Sequence, residues 1–457
     1  MLDHSIFKAY DIRGIVNEGL TDDTIFAIGK AIGSEAIIQN QTEICVGYDG
    51  RLSSPSICNT LIKGINSTGV NTINIGLVTT PILYFSTFFL GTASGVMITG
   101  SNNPPNYNGF KMVINKTTLS ADDIQKLKQR IMTNNFIVGT GKSVSKEVKS
   151  AYKDKILSTI KLKRKMKVAI DCGNGAAGVI AKELFQELGI NTHMMYDEVD
   201  GNFPNHHPDP SKPDNLRELI DVVKNTDCEL GLAFDGDADR LGVINKNGEI
   251  IYPDRQLMLF AKNILRDNAG RKIIFDVKSS RYLHSWIKNN GGEPVVWKTG
   301  HSLIKKKMKE ENAILAGEMS GHTFFNDKWY GFDDGVYAGA RLLEILSHET
   351  QDIEKILSEL PKGFSTPEIN IPVSEGEQHS IIDSLQQEAH FDKALEIIKI
   401  DGLRVEYKHG FGLMRASNTT PVIVLRFEAE TEKDLVEIQD DFKNQLKTKI
   451  NLNDIPL

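Results

Sequence analysis

Along most of the chain, short apolar runs alternate with longer stretches in which apolar residues recur at helical spacing. That alternation predicts β-strands interleaved with amphipathic helices, the pattern of α/β units with largely parallel sheets. Three of the strands open in a related way: EICVGYDGR at 43–51, KVAIDCGNGA at 167–176 and KIIFDVKSS at 272–280. Each is rich in β-branched residues and ends in Asp, with a Gly or Ser close by. Each is followed by a second apolar run that stops at an unusual polar loop: GVMITGSNN, LGLAFDGDADR and AILAGEMSGH. The repetition of both features suggests an internal triplication. Ligands of open α/β sheets collect at the carboxyl ends of strands, so the three loops are candidates for one shared cleft.

The end of the chain departs from this rhythm. PKGFSTPEINIP reads as a Pro- and Gly-rich linker. LRVEYKHGFGLMRASNTTPVIVLRFEAE reads as consecutive strands joined by tight turns. The final helix has Thr431 as its N-cap and Leu435, Ile438, Phe442 and Leu446 along one face. The expected fold is therefore three related α/β mixed-sheet domains plus a C-terminal α+β domain around a central cleft. The segments are 1–150, 151–252, 253–365 and 366–457 of the 457 residues. A chain of this length exceeds one hydrophobic core, and three or four domains are the prior.

Composition narrows the function classes. The chain is 40% apolar and 25% charged, with a formal net charge of −7, so it carries no basic footprint for nucleic acid or an acidic membrane. No apolar run approaches the ~20 residues of a membrane span. MLDHSIFKAYDIRG lacks the basic start and apolar core of a signal peptide, and a cytoplasmic protein is expected. Cys45, Cys58, Cys172 and Cys228 have neither metal spacing nor a CxxC pair, and read as reduced, buried thiols.

The polar loops carry the chemistry. Asp235, Asp237 and Asp239 alternate with Gly236 and Ala238 after an apolar strand. Carboxylates converging to ~4 Å at an effective dielectric of ~20 repel by about 4 kcal/mol per pair, so the loop asks for a cation. Its hard oxygens suit Mg²⁺ or Ca²⁺, and few protein ligands near a phosphate favour Mg²⁺. An EF-hand would need Gly where Arg240 stands, and a helix where the strand is. In Gly317–His322, the Glu318 carboxylate and the Ser320 hydroxyl suit the hydroxyls of a sugar. Arg415 to Thr420 combines a guanidinium, three hydroxyls and a turn of backbone N–H groups, which together make a phosphate cradle. TGSNNPPNYNG is either a surface turn or a stiff loop presenting Ser101 for chemistry. Lys278, Lys298 and His301 are weak signals individually. Lys305–Lys307 with Lys309 read as a solvated helix face, and His206-His207 as packing or hydrogen-bonding residues rather than metal ligands.

Taken together, KAYDIRG, TGSNNPPNYNGFK, DGDADR, GEMSGH and RASNTTP resemble, in order and over nearly the full length, the α-D-phosphohexomutases. Met319 resembles their bacterial phosphomannomutase/phosphoglucomutase branch. The resemblance implies reversible phosphoryl transfer between C1 and C6 of mannose or glucose phosphates, through a phosphoserine at Ser101 and a hexose 1,6-bisphosphate. It implies Mg²⁺ held by Asp235, Asp237, Asp239 and Ser101, and sugar hydroxyls read by Glu318 and Ser320. Arg415, Ser417, Asn418 and Thr419 would bind the phosphate that is not transferred. Tyr10, Arg13, Lys111, Arg240, Lys278, His301 and His322 would line the reaction centre, with Arg13 and Lys111 stabilising charge or relaying the proton. Asn102 stands where the family usually has His, and it cannot act as an acid or base near neutrality. Any proton role of that His would fall to Lys111, His301 or His322. A serine phosphate beside three aspartates is repelled without a divalent cation, so the two motifs explain each other. The alternatives are a phosphoglucosamine mutase, a Mg²⁺-dependent sugar phosphatase and a non-catalytic phosphosugar-binding protein. The expected partner is a small phosphosugar bound by a monomer, with neither nucleic acid nor membrane.

Overall fold

A computed structural model describes residues 2–451; Met1 and the last six residues of the fourth expected segment lie outside it. Four sheets follow one another along the chain. In the first, Glu43–Tyr48 lies between Asn71–Leu77 and Gly95–Ile98, parallel to both, and Gly95–Ile98 pairs antiparallel with Tyr107–Ile114. The second repeats this plan: Lys167–Asp171 lies parallel between Asn191–Met195 and Leu230–Phe234, and the latter pairs antiparallel with Leu241–Asn245. So does the third, with Lys272–Asp276 parallel between Glu293–Trp297 and Leu315–Gly317, and Thr323–Phe325 antiparallel at the edge. The suspected triplication is thus present as one topology used three times. In each copy the polar loop connects the third strand to its antiparallel neighbour, at the carboxyl end of a parallel strand.

The inner strands are buried, as in Gly95–Ile98 and Leu230–Phe234, while the edge strands Asn191–Met195 and Glu293–Trp297 are partly exposed. Helices cover the faces, as parallel sheets require. One large core joins the first three sheets, running from Cys45 through Phe185 and Phe260 to Leu360. All four cysteines are free and buried within the protein.

The last sheet has a core of its own, built on Ile371, Leu425, Phe427 and Phe442. Leu403–Tyr407, Gly410–Ala416 and Val422–Ala429 form a meander. The closing helix, Glu432–Leu446, begins where expected: the Thr431 hydroxyl accepts the Asp434 N–H, and Ile438, Phe442 and Leu446 are buried. The segment read as a linker differs. Phe364–Ser365 and Ile369–Pro372 are strands that pair with Val422–Ala429, because that strand would otherwise leave a row of unpaired edge groups. The junction with the third domain joins a small apolar cluster, Val277 with Phe411 and Leu413, to a set of polar contacts. Arg404 donates to the carbonyls of Val277 and Ser279, Arg426 to that of Lys278, and Ser280 to the Glu428 carboxylate. A junction of this kind is softer than a shared core.

Candidate active site

The loops meet in a cleft of about 790 Å³ between the four sheets. Ser101 lies just beneath the lining residue Asn102, fully buried, with a φ of +47°, a left-handed conformation unusual for serine. Its N–H donates to the Thr99 hydroxyl at 2.7 Å, and its Oγ donates to Asp235 Oδ2 at 3.0 Å. This strained turn is held by Arg51, which sequence reasoning missed. The Arg51 guanidinium is buried and donates to the carbonyls of Ser101 (2.8 Å), Asn103 (2.6 Å), Pro104 and Tyr107 (3.0 Å). Asp49, the strand-ending aspartate of EICVGYDGR, pairs with Arg51 and also accepts from the Thr99 hydroxyl and the Gly100 N–H. Gly100 is required here, since a Cβ would stand 2.4 Å from the guanidinium carbon. The strand-ending Asp was a repeated signal in the sequence; its partners fifty residues away were not.

The three aspartates of the second loop are fully buried. Gly236 lets the loop approach, as a Cβ there would lie 2.3 Å from the Ser101 carbonyl oxygen. Lys111 bridges Asp237 (2.7 Å) and Asp239. Burial opposes the Lys111 charge, but Asp237 and Asp239 outweigh it and raise its pKa. Asp235 is pushed well above the usual carboxylate range by burial and then by Asp237 and Asp239, while Asp237 and Asp239 stay low because Lys111 offsets their burial. One cation therefore satisfies two of the three carboxylates. Asp237 Oδ1 is buried without a hydrogen-bond partner. A bare carboxylate oxygen in a buried acidic triad, with Ser101 Oγ beside it, fits a hard divalent cation.

Glu318 and His322 come from the third loop. Glu318 Oε1 accepts the Gly300 N–H at 2.6 Å, Oε2 lies 3.2 Å from His322 Nδ1, and the residue lines the cleft. Ser320 Oγ is 2.9 Å from His322 Nδ1. Burial lowers the His322 proton affinity, but Asp239 and Glu318 outweigh it and raise the pKa to about 9. Arg240 lies 3.3 Å from His322 and 3.7 Å from Asp235.

From the last domain, Arg415 is held through Nε by Asp401 at 3.0 Å, and Asp401 also accepts the Thr299 N–H at 2.9 Å. The Arg415 Nη atoms have no hydrogen-bond partner among the described residues, and Arg415 lines the cleft with Ser417, Asn418 and Thr419. Asn418 donates to Tyr10, whose hydroxyl donates to the Thr299 carbonyl at 2.7 Å. Tyr10 thereby joins the first, third and fourth domains at the mouth of the cleft. Lys278 is buried and paired with Glu368 at 2.7 Å. Arg13 reaches Asn103 and Asp11.

All expected site residues are therefore brought to one place. Asn102 donates to Asp209 at 3.0 Å, and its backbone carbonyl meets His207, so the FPNHHPDPSKP loop braces the serine turn. His206 pairs with Asp171 at 2.8 Å, and neither adjacent histidine joins the acidic triad. Lys305 and Lys307 are corrections: Lys305 is nine-tenths buried and 2.7 Å from Asp333, and Lys307 is mostly covered, on the Trp297 ring and 2.5 Å from Glu311, while Lys306 and Lys309 of the same helix are solvated as expected. Asp333 was not singled out from the sequence, being one acidic residue in an ordinary loop.

Four family models match consecutive stretches. They are the α/β/α domains I (4–137), II (148–248) and III (252–364) of phosphoglucomutase/phosphomannomutase, and its C-terminal domain (368–445). A phosphoglucomutase of Neisseria meningitidis serogroup A is 54% identical over 450 residues, 98% of each chain. A phosphomannomutase/phosphoglucomutase of Pseudomonas aeruginosa is 53% identical over 97% of this chain and 96% of its own. The crystal structure of a phosphoglucomutase/phosphomannomutase family protein from Burkholderia thailandensis superposes with a TM-score of 0.94 at 49% identity, covering 98% of both chains.

Proposed function

Since the chain belongs to the phosphoglucomutase/phosphomannomutase family and is a hexose phosphate mutase, we propose that it moves the phosphoryl group between C1 and C6 of mannose or glucose phosphates by way of a phosphorylated Ser101. The observation that carries the reading is Ser101 Oγ beside a buried acidic triad whose bridging Lys111 lines the same cleft as a second, separate phosphate cradle. A phosphatase needs only the first of these, and a binding protein needs no strained nucleophile.

In this reading Arg415, Ser417, Asn418 and Thr419 grip the phosphate already on the sugar. The substrate's free hydroxyl then faces Ser101. The hydroxyl oxygen bonds to the phosphorus of phosphoserine 101 as the bond to Ser101 Oγ breaks, and the hydroxyl proton ends on Ser101 Oγ, giving a hexose 1,6-bisphosphate. The bisphosphate turns end for end and returns its other phosphoryl group to Ser101. Glu318 Oε2 and the Ser320 hydroxyl serve both orientations by holding hydroxyls near the turning axis. Lys111 and Arg240 place positive charge beside the transferring group. Asp235, Asp237 and Asp239 would hold Mg²⁺, which when bound neutralises phosphate charge during transfer. The last domain, with a core of its own, is suited to open and close over the site, excluding water when shut.

The test is intact mass and activity together. Wild-type protein should carry one phosphate, lost in Ser101→Ala, and a bisphosphate-primed assay with mannose or glucose 1-phosphate should show turnover only in the wild type. Turnover by Ser101→Ala, or release of inorganic phosphate in place of the 6-phosphate, sinks the reading.

A further inference from the structure

His301 opens the helix His301–Glu311, and Lys305 stands one turn further along the same face. Lys305 Nζ is 2.7 Å from Asp333 Oδ1 and 3.3 Å from His301 Nδ1, and it sits 4.1 Å above the ring of Tyr84. Asp333, from the loop before helix Gly335–His348, is fully buried. Its other oxygen, Oδ2, lies 3.4 Å from His301 Nδ1 and has no closer partner among the described residues. The next ring, His322, is 3.8 Å from that oxygen and nearer to Asp239, at 3.3 Å.

His301 Nδ1 thus has two suitors, Lys305 at 3.3 Å with hydrogen-bond geometry and Asp333 Oδ2 at 3.4 Å without it, and the need of the buried carboxylate for a donor decides between them. If Nδ1 accepts from Lys305, Asp333 Oδ2 is left without a donor. A buried carboxylate oxygen in that state is costly. If Nδ1 donates to Asp333, the Lys305 ammonium still keeps Asp333 Oδ1 and rests on the aromatic face of Tyr84, a favourable arrangement for a cation. The second arrangement leaves fewer groups unsatisfied. It places the proton on Nδ1 and leaves a lone pair on Nε2, which makes no hydrogen bond among the described residues, in a residue that lines the cleft.

We propose that Lys305 and Asp333 are positioning residues that lock His301 as the Nδ1–H tautomer, so that Nε2 accepts a hydrogen bond from a hydroxyl of the bound sugar. This deepens the mutase reading and rests on it for the identity of the ligand. It also gives His301 a definite part beside Asn102: the ring reads a donor, a hydroxyl, and not a phosphate oxygen. Burial and Lys305 both lower the proton affinity of His301, consistent with a neutral ring. The charged groups facing it are Lys305 on its own helix, Asp333, His322 and Glu318 from the third domain, and Lys111 from the first, with Tyr10 edge-on at 6.4 Å between ring centroids.

The test is long-range ¹H–¹⁵N correlation of ¹⁵N-histidine-labelled full-length protein, with His301 assigned by its loss in His301→Gln. The expected wild-type pattern is a neutral Nδ1–H ring near pH 7. Asp333→Asn should release that tautomer and lower kcat about tenfold or more, the loss of one hydrogen bond to a charged group. Lys305→Met should move the His301 titration upward, and Lys305→Arg should restore it. A wild-type Nε2–H or cationic ring overturns the proposal, as does an unchanged His301 spectrum in Asp333→Asn and Lys305→Met. A merely structural role would lower stability without moving these nitrogen shifts. Should the variants fail to fold, the wild-type spectrum still decides. Failure of mutase turnover with the expected spectrum would strike the functional reading and leave the tautomer assignment standing.

Discussion

Replacing Arg51 by Lys tests how the serine turn is held. Arg51 serves four backbone carbonyls, those of Ser101, Asn103, Pro104 and Tyr107, and the Asp49 carboxylate. That makes five acceptors. A lysine ammonium has three protons, so at least two acceptors lose their donor. A hydrogen bond to a charged group contributes about 1.5–3 kcal/mol, so the loss of two costs about 3–6 kcal/mol before the loop relaxes. Relaxation is the point: Ser101 sits at a φ of +47° only while its surroundings hold it there. Movement of the turn recovers part of the lost stability and transfers the damage to catalysis, where a displacement of ~1 Å costs on the order of 100-fold. We therefore expect Arg51→Lys to lose about 2 kcal/mol of stability, a few degrees in Tm, and about 10- to 100-fold in kcat. KM for the hexose 1-phosphate should change little, because Arg415 and its loop are untouched. Thermal unfolding and a bisphosphate-primed coupled assay read the two quantities. Wild-type kcat in a folded Arg51→Lys protein would refute the argument. A large rise in KM with unchanged kcat would do so equally.

Chelation should remove nearly all turnover and Mg²⁺ should restore it, whereas Asp237→Asn should lower metal affinity without unfolding the protein, as isothermal titration with Mg²⁺ would show. His206 provides a pH test. Burial opposes its charge, but the Asp171 hydrogen bond and charge outweigh it and raise its pKa. A raised imidazole pKa stabilises the fold fully below the unfolded value of about 6.5, and the contribution disappears as pH rises through the folded value. The Tm gap between wild type and His206→Gln should therefore be largest near pH 6 and shrink toward pH 9. A gap that grows with pH contradicts the sign.

Much of this protein was legible in local pattern. Apolar runs ending in Asp or in Gly-rich polar loops place the strands, and the alternating aspartates 235, 237 and 239 announce a cation, because residues close in sequence must converge wherever the loop goes. Thr431 and the Ile438, Phe442, Leu446 face define the last helix for the same local reason. Resemblance of five ordered motifs supplied the roles that spacing alone left open.

What tertiary structure decided lies at contacts between distant segments. Arg51 meets Ser101 only because parallel pairing of Glu43–Tyr48 with Gly95–Ile98 brings their carboxyl ends together. Lys305, in a run of lysines that reads as solvated surface, turns inward because Asp333 and Tyr84 arrive from other elements to accept its charge. Phe364–Ser365 and Ile369–Pro372 become strands because Val422–Ala429 has an edge to fill. The sequence determined which chemistry each loop carries. Pairing across the sheets determined which side chains hold those loops still, since burial and partner are properties of the assembled fold and not of any one stretch.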